Sequence, residues 1–253
     1  MKAIVAIARR EAAAYFAGPI GWICLVLFAL LAGMFFSIML VGYASQASQM
    51  GNMGQDENVT EMLLQGLFGN LSVIALLMMP ALTMGLIAAD RRERSVELLL
   101  TSPVSSAQIV LGKFLGALGF ATVMVLTTLY VPVALALMGE PDPGVFYASY
   151  GGFVVLMAVF VSIGLFTSSV TENQLVALAL GFSINLSVWI MGWLGQMVPA
   201  GAVKSVVEHL SMLSHFEQLS KGVVHTNDVV YFVTVIGFFL FATTQRVEAL
   251  RWR

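Results

Sequence analysis

Charged side chains are scarce in this sequence. Asp, Glu, Lys and Arg together make up 10% of its 253 residues, whereas a soluble domain carries about 25%. Hydrophobic residues make up 59% of the chain, and the mean hydropathy is +0.90. These proportions exclude an ordinary soluble domain, so the length of the chain is better counted in membrane spans of about 20 residues each.

Cysteine and the common catalytic motifs are also missing. The single cysteine, Cys24, excludes an intrachain disulfide and a cysteine-based metal site. The chain contains no GxxxxGK[ST] phosphate loop, no HExxH pair and no convincing Ser–His–Asp set. We therefore expect no cofactor, no metal and no catalytic residue on this chain, and no nucleic-acid partner.

Long apolar runs predict an all-α polytopic membrane protein with six transmembrane helices. The predicted spans are 20–41, 66–89, 109–138, 147–169, 175–198 and 229–245. Pro80 is expected to kink span 2, and Pro132 lies near the far end of span 3. The expected parts of this single transmembrane domain, residues 1–253, are an interfacial helix at 1–17, the six-span bundle at 20–245 and a basic tail at 246–253.

Basic residues are unevenly distributed between the two sides of the predicted bundle. In the N-terminal helix, Lys2, Arg9 and Arg10 interrupt apolar residues, as in a helix that lies in the membrane interface. Of the 12 Lys and Arg residues in the chain, only Lys204 and Lys221 fall on the side opposite the N-terminus. The positive-inside rule therefore predicts that both termini and the bridge between spans 2 and 3 are cytoplasmic.

Ionisable residues are absent from the interior of the predicted spans. No Asp, Glu, Lys, Arg or His occurs within 20–41, 66–89, 114–138, 147–169, 175–198 and 229–245. Ion-coupled carriers and proton pumps usually carry such groups near the middle of the membrane. An ion-coupled carrier or channel is therefore disfavoured, and we expect the energy for any transport to enter from outside the membrane.

The bridge between spans 2 and 3, residues 90–108, is the most charged stretch of the chain. Asp90 and Arg94 are four residues apart, which places opposite charges side by side on a helix. Pro103 should end that helix, and Ser105 with a glutamine three residues later predicts a capping box that starts the next one. A bridge of this length and pattern favours a structured element that docks on a partner in the aqueous phase.

The segment before span 6 supports further hypotheses. Four of its ionisable residues, Glu208, His209, His215 and Glu217, cluster within ten positions. A metal site or the catalytic groups of a lipid-modifying enzyme are alternatives, but the histidines do not share a helical face, which favours a solvated interfacial surface. Apolar residues at three- and four-residue steps over 203–223 predict an amphipathic helix broken near Ser214 and closed by Gly222, either a surface helix or a gate.

Asn185 is a polar residue inside span 5, with Ser183 and Ser187 beside it. Polar side chains within spans commonly hydrogen-bond between helices. We therefore favour a helix–helix hydrogen bond for Asn185, with a substrate contact as the alternative.

Several motifs resemble those of a known family. They are Pro80 to Met84 (PALTM), Glu93 to Val104 (ERSVELLLTSPV), Leu111 to Phe114 (LGKF) and Leu213 to Phe216 (LSHF). Together they resemble permease subunits of type-2 ABC transporters, and the resemblance is closest to the gliding-motility-associated (GldF-like) branch. The likeness covers most of the chain and is strongest over 80–115 and 210–253.

The resemblance implies a permease with an interfacial elbow helix at 1–17 and a cytoplasmic coupling helix between spans 2 and 3. The coupling helix would contact a separate ABC ATP-binding subunit, which carries ATP and Mg, so this chain would be neither an enzyme nor a cofactor binder. The implied interface residues are Glu93, Arg94, Glu97, Leu98, Leu99, Leu100, Thr101 and Pro103. A second, smaller contact is implied at 171–174.

The resemblance also implies partners, a location and a function. A second permease half, identical or paralogous, would complete the pathway, and an auxiliary membrane protein with a large extracytoplasmic domain often accompanies this branch. The location would be the bacterial cytoplasmic (inner) membrane. The implied function is ATP-driven export or work on an extracytoplasmic partner, in gliding motility or in surface and envelope assembly. A mechanical transmission scaffold without a transported substrate is the alternative.

Overall fold

In the computed structural model, the structure describes residues 2–50, 59–92, 104–138, 142–197, 201, 204, 209, 211–221 and 225–251. The regular structure in these ranges is helical, and no strand occurs in them. Their helices, in chain order, are α1 (Lys2–Ala17), α2 (Pro19–Met50), α3 (Val59–Thr83), α4 (Gly85–Arg92), α5 (Ser106–Leu126), α6 (Tyr130–Met138), α7 (Pro143–Val170), α8 (Gln174–Met197), α9 (Met212–Ser220) and α10 (Thr226–Arg251). The all-α prediction is confirmed.

Six helical stretches are long and apolar enough to cross a membrane, which confirms the predicted number of spans. They are Pro19–Ser45, Thr60–Arg92, Ser106–Leu137, Pro143–Val170, Gln174–Gly192 and Thr226–Leu250. Successive stretches run in opposite directions, so the bundle has two ends. We call the end that holds α1, α4 and the last turns of α10 the basic end, and the end that holds α9 the distal end.

Helix α7 lies at the centre of the bundle. Of its most apolar stretch, 78% is buried, against 22% for α2 and 17% for α10. It packs against α3, α5, α8, α9 and α10. Aromatic rings fill its contact with α3, where the centroid of the Phe68 ring lies 4.8 Å from that of Tyr150 and 4.9 Å from that of Phe153. The peripheral helices α2 and α10 keep broad apolar surfaces that suit a lipid environment.

Span 3 is interrupted, although the sequence predicts one helix over 109–138. Residues 127–129 form turns that separate α5 from α6. Pro132 has no N–H to donate to the carbonyl of Thr128. The buried hydroxyl of Tyr150, on α7, donates to that carbonyl instead (3.0 Å). The break is therefore stabilised by a hydrogen bond from another helix.

The N-terminal helix packs tightly on α5. A Cβ atom at Gly112 would lie 2.7 Å from the Ile7 side chain, and one at Gly116 would lie 2.7 Å from Glu11 Cβ and 2.8 Å from the Ala8 carbonyl oxygen. Glycines four residues apart allow two helix backbones to approach closely. The predicted helix at 1–17 is therefore joined to the bundle along its length by this glycine face of α5.

Helix α9 differs from the amphipathic helix predicted over 203–223. It begins at Met212, two residues before the break predicted near Ser214, because Ser211 caps it by accepting the Ser214 N–H (3.1 Å). Its apolar side is buried, with Phe216 1% exposed and packed 6.1 Å from the Phe153 ring of α7. Helix α9 is therefore part of the core at the distal end and not a surface helix, and it is continuous through Ser214. Gly222, predicted to close the helix, lies outside the described residues.

Gly116→Ala should lower the free energy of unfolding by about 1–3 kcal/mol, because its methyl group overpacks the contact with α1. Gly119→Ala is the matched control on the same helix, since a Cβ there would meet nothing within 4 Å. The control should raise stability by roughly 0.5–1 kcal/mol, because alanine favours helix over glycine. Thermal unfolding in mild detergent measures both, and equal effects of the two variants would contradict the packing described here.

Candidate functional site

The residues predicted for the ATPase contact lie outside the part of the chain that the structure describes. They are Glu93, Arg94, Glu97, Leu98, Leu99, Leu100, Thr101 and Pro103. Both helices that flank this segment are described, since α4 ends at Arg92 and α5 begins at Ser106. The candidate site described below is therefore the basic end of the bundle, where contacts with other helices fix the positions of α4 and the start of α5.

Helix α4 is separated from α3 and held by a serine of another helix. Span 2 stays helical through Pro80, where a kink is predicted, and is interrupted one turn later at Met84. The Ser168 hydroxyl of α7 accepts the backbone N–H groups of Ile87 and Ala88 (3.0 Å each). It also donates to the Met84 carbonyl (2.8 Å). Since N–H groups in a first helical turn lack helical acceptors, Ser168 caps α4 and ties it to α7.

A buried lysine ties α4 to α1 and α5. Lys113 of α5 is 2% exposed, and its ammonium group lies 2.7 Å from Asp90 Oδ2 of α4 and 2.9 Å from Glu11 Oε1 of α1. We call Glu11, Asp90 and Lys113 the charge triad. Arg10 pairs with the same Glu11 oxygen at 2.9 Å, so two carboxylates meet two cations. Because an unpaired buried charge is very unfavourable, these three helices are held together at this point.

Arg91 links α4 to the turn between α7 and α8. Its guanidinium donates to the Ser169 carbonyl (3.0 Å) and to Glu172 Oε1 (2.8 Å). Asn173 then caps α8, because its side-chain oxygen accepts a backbone N–H of the first turn (2.9 Å). The second bridge predicted at 171–174 is thus a short ordered turn, in which the Glu172 side chain remains 64% exposed.

The start of α5 follows the predicted capping box. The Ser105 hydroxyl accepts the Gln108 N–H (3.3 Å), and the Gln108 side chain accepts the Ser105 N–H (3.2 Å). This prediction is confirmed. The next residue, Ser106, donates to the Glu248 carboxylate of α10. Residues 246–251, predicted as the start of a basic tail, are therefore the last turns of α10 and contact the start of α5.

A cavity of about 300 Å³ lies between α1, the start of α2 and the junction of α3 with α4. Its lining includes Glu11, Tyr15, Pro19, Leu82 and Met84. The Tyr15 hydroxyl donates to the Leu82 carbonyl (3.0 Å). Burial raises the pKa of the Tyr15 phenol, and the Glu11 carboxylate adds to that rise. The hydroxyl therefore stays protonated and joins α1 to the end of α3.

The ionisable residues predicted at the distal end do not gather into one site. Glu208 lies outside the described residues, and Glu217 is partly exposed on α9. His215 Nδ1 lies 2.6 Å from Asp228 Oδ1, and its Nε2 lies 3.2 Å from the His209 carbonyl oxygen. Among the side chains that the structure describes, no three His, Cys, Asp or Glu groups are arranged to hold a metal. His215 instead joins α9 to α10.

Lys113 and Ser168 carry most of the contacts at the basic end, and neither is predicted from the sequence. The spacing of Asp90 and Arg94 predicts a pair within one helix, and Arg94 lies outside the described residues. The contact of the Asp90 carboxylate with Lys113 on α5 has no counterpart in that spacing. A signal for Lys113 does exist, because it lies between the two glycines that let α1 approach α5 closely. Ser168 offers no comparable signal, since a serine in an apolar helix usually bonds within that helix.

A comparison with known protein families matches residues 5–245 to the family described as ABC-2 family transporter protein. No curated protein matches the chain. The matched range takes in nearly all of the helical bundle, including the charge triad and both helices that flank the predicted contact segment.

Lys113→Met should lower the free energy of unfolding by about 3–5 kcal/mol. Methionine keeps the apolar stem but removes the ammonium group, so the carboxylates of Glu11 and Asp90 lose their buried partner. Thermal unfolding of the purified protein in mild detergent measures the loss.

Arg10→Met is the matched control for this change. The Arg10 side chain is 58% exposed, so its removal should change stability by less than about 1 kcal/mol. Adding Glu11→Gln and Asp90→Asn to Lys113→Met should recover much of the loss, because no buried carboxylate then remains. Wild-type stability of the Lys113→Met protein would contradict the role given to the charge triad.

Proposed function

This chain belongs to the ABC-2 transporter family, and on that premise we propose that segment 93–103 receives ATP-driven motion from a separate ATPase and passes it to the spans. The chain is the transmembrane permease component of an ABC transporter, and its ATPase is a separate subunit. A permease of this family is not itself catalytic, which sets aside the lipid-modifying enzyme considered for Glu208, His209, His215 and Glu217.

The arrangement of α4 is the observation that best supports this proposal. Helix α4 ends next to the segment, and its contacts through Ser168, Asp90 and Arg91 reach α7, α5 and the turn before α8. Breaking the contacts made by Ser168 or by Lys113 with Asp90 would leave a buried polar group without its partner. A displacement of the segment would therefore move α4 together with α1, α5 and α7.

Within the segment, we assign the charged contacts with the ATPase to Glu93, Arg94 and Glu97. The apolar contacts and the closing turn come from Leu98, Leu99, Leu100, Thr101 and Pro103. A second contact would be made by the turn before α8, where the Glu172 carboxylate is exposed beside Arg91. Both contacts belong to the same end of the bundle, so one ATPase surface could engage them together.

The orientation and partners follow from the same proposal. The basic end faces the cytoplasm of a bacterial cell, because Lys and Arg concentrate there, and the protein lies in the inner membrane. A second permease half, identical or paralogous, pairs with this one, and an auxiliary membrane protein with a large extracytoplasmic domain accompanies them. The complex exports a substrate or acts on an extracytoplasmic partner, in gliding motility or envelope assembly.

Glu97→Lys should leave the protein inserted but uncouple the ATPase, because the charge reversal opposes the proposed contact. The measurement is ATP hydrolysis by the purified complex with and without the permease, together with recovery of the ATPase on an affinity-tagged permease. Glu217→Lys is the matched control, since it makes the same charge change on α9 at the distal end.

Normal coupling of ATP hydrolysis to the permease in the Glu97→Lys variant would contradict the assignment of segment 93–103 as the ATPase contact. Loss of coupling in both variants would point to a general effect of charge reversal and equally count against it. A transport assay on the reconstituted complex then separates an exporter from a mechanical scaffold, because only an exporter accumulates substrate.

A further inference from the structure

Asn185 lies within α8 and is fully buried. Neither its amide nitrogen nor its amide oxygen has a hydrogen-bond partner among the residues that the structure describes. The sequence favours a helix–helix hydrogen bond for this side chain, and the described arrangement does not contain one. A buried amide without a partner raises the free energy of the state that contains it, so its presence requires an explanation.

The face of α8 that carries Asn185 packs against α3 and α7. One turn earlier on this face, a Cβ atom at Gly181 would lie 3.4 Å from Pro80 Cβ and 3.0 Å from Thr167 Oγ1. The Thr167 hydroxyl donates to a carbonyl of its own helix (3.0 Å). Since residues four apart share a helical face, Asn185 is directed toward the same contact.

The level of Asn185 along α3 follows from two contacts. Gln174, at the start of α8, lies against Gly85, the first residue of α4 just beyond the end of α3, and further along α8 Gly181 lies against Pro80 of α3. The two helices therefore run antiparallel, and each turn along α8 corresponds to one turn back along α3. One turn beyond the contact with Pro80, Asn185 lies level with Leu76.

Leu76 has a backbone carbonyl that lacks its regular donor. In an α-helix, a carbonyl accepts the N–H of the residue four positions later. For Leu76 that residue is Pro80, which has no N–H. The carbonyl points along α3 toward Pro80, the residue against which α8 packs. Helix α3 thus offers an acceptor without its donor at the level where α8 carries an amide without a partner.

We propose that Asn185 is a positioning residue of the transport cycle, which donates to the Leu76 carbonyl in a second arrangement of α3 and α8. In the arrangement described above, the amide is unpaired. This inference rests on the proposed function, in which ATP-driven motion reaches the spans. A shift of α8 against α3 that brings the amide nitrogen within about 3 Å of the carbonyl oxygen closes the bond.

The unpaired amide of the first arrangement and the hydrogen bond of the second both shift the equilibrium between these two arrangements of α3 and α8 toward the second. The unpaired amide raises the free energy of the first arrangement, and the bond lowers that of the second. Replacing Asn185 by an apolar residue should therefore stabilise the first arrangement and disfavour the second. A residue with a purely structural bond would show the opposite effect on stability.

The test uses the complete complex of this permease with its ATPase, purified in detergent. Asn185→Leu replaces the amide with an apolar side chain of similar size. We expect its nucleotide-free complex to unfold at a higher temperature than wild type, because the unpaired amide is gone. We expect its ATP turnover to fall about tenfold, the effect of one hydrogen bond lost from the second arrangement.

Ser183→Ala and Ser187→Ala are matched controls on the same helix. Both serines are exposed and donate to carbonyls of α8 itself (2.7 Å each). Their replacement also removes a polar group from the span, but no bond between helices depends on them. Neither the unfolding temperature nor the turnover should change as it does in Asn185→Leu.

A double-mutant cycle identifies the partner of Asn185. Pro80→Ala supplies an N–H for the Leu76 carbonyl, which then competes with Asn185 for that carbonyl and weakens the proposed bond. Pro80→Ala and Asn185→Leu should each slow ATP turnover, and the double variant should be no slower than the slower single variant, because both act on the same bond.

Three results would overturn this inference. They are a lower unfolding temperature for the nucleotide-free Asn185→Leu complex, unchanged turnover in that variant, and additive slowing in the double variant. Each can occur while Glu97→Lys still uncouples the ATPase. Failure of this inference is therefore distinguishable from failure of the proposed function, which Glu97→Lys tests separately.

Discussion

The need to pair one buried ammonium group organises the basic end of this protein. Lys113 lies in an apolar helix and is 2% exposed, so its charge is acceptable only with carboxylates beside it. Glu11 and Asp90 supply them from helices that precede Lys113 in the chain. The position of α1 on α5 and that of α4 beside them both follow from this requirement, and the two glycines that flank Lys113 make the approach possible.

A second buried polar group, the Ser168 hydroxyl of α7, holds the end of span 2 as a separate short helix. A continuous helix would satisfy the N–H groups of Ile87 and Ala88 internally, whereas the break at Met84 leaves them for Ser168. The break costs helical hydrogen bonds but ties α4 to the central helix. The helix that leads into segment 93–103 is therefore bonded to its neighbours, as the proposed contact with an ATPase requires.

Much of the fold is predictable because it depends on composition and local spacing. Six apolar stretches become six helices, since the backbone of a membrane span must satisfy its own hydrogen bonds. The capping box at Ser105 forms because its two partners are three residues apart. The candidate site is less predictable, because the contact of Asp90 with Lys113 joins two helices that are far apart in the sequence.

By itself, the sequence determined the helical class, the number of spans, the concentration of basic residues toward one side and the resemblance to a transporter family. Only the tertiary structure decided that Lys113 joins Glu11 to Asp90, that Ser168 caps α4, that the apolar side of α9 is buried, and that the Asn185 amide has no hydrogen-bond partner among the described residues. The physical reason is one of range. The spacing of residues in the sequence predicts the interactions within a single helix. The partner of a buried polar group, in contrast, can come from a distant part of the chain, and only the packing of the helices determines which residue that is.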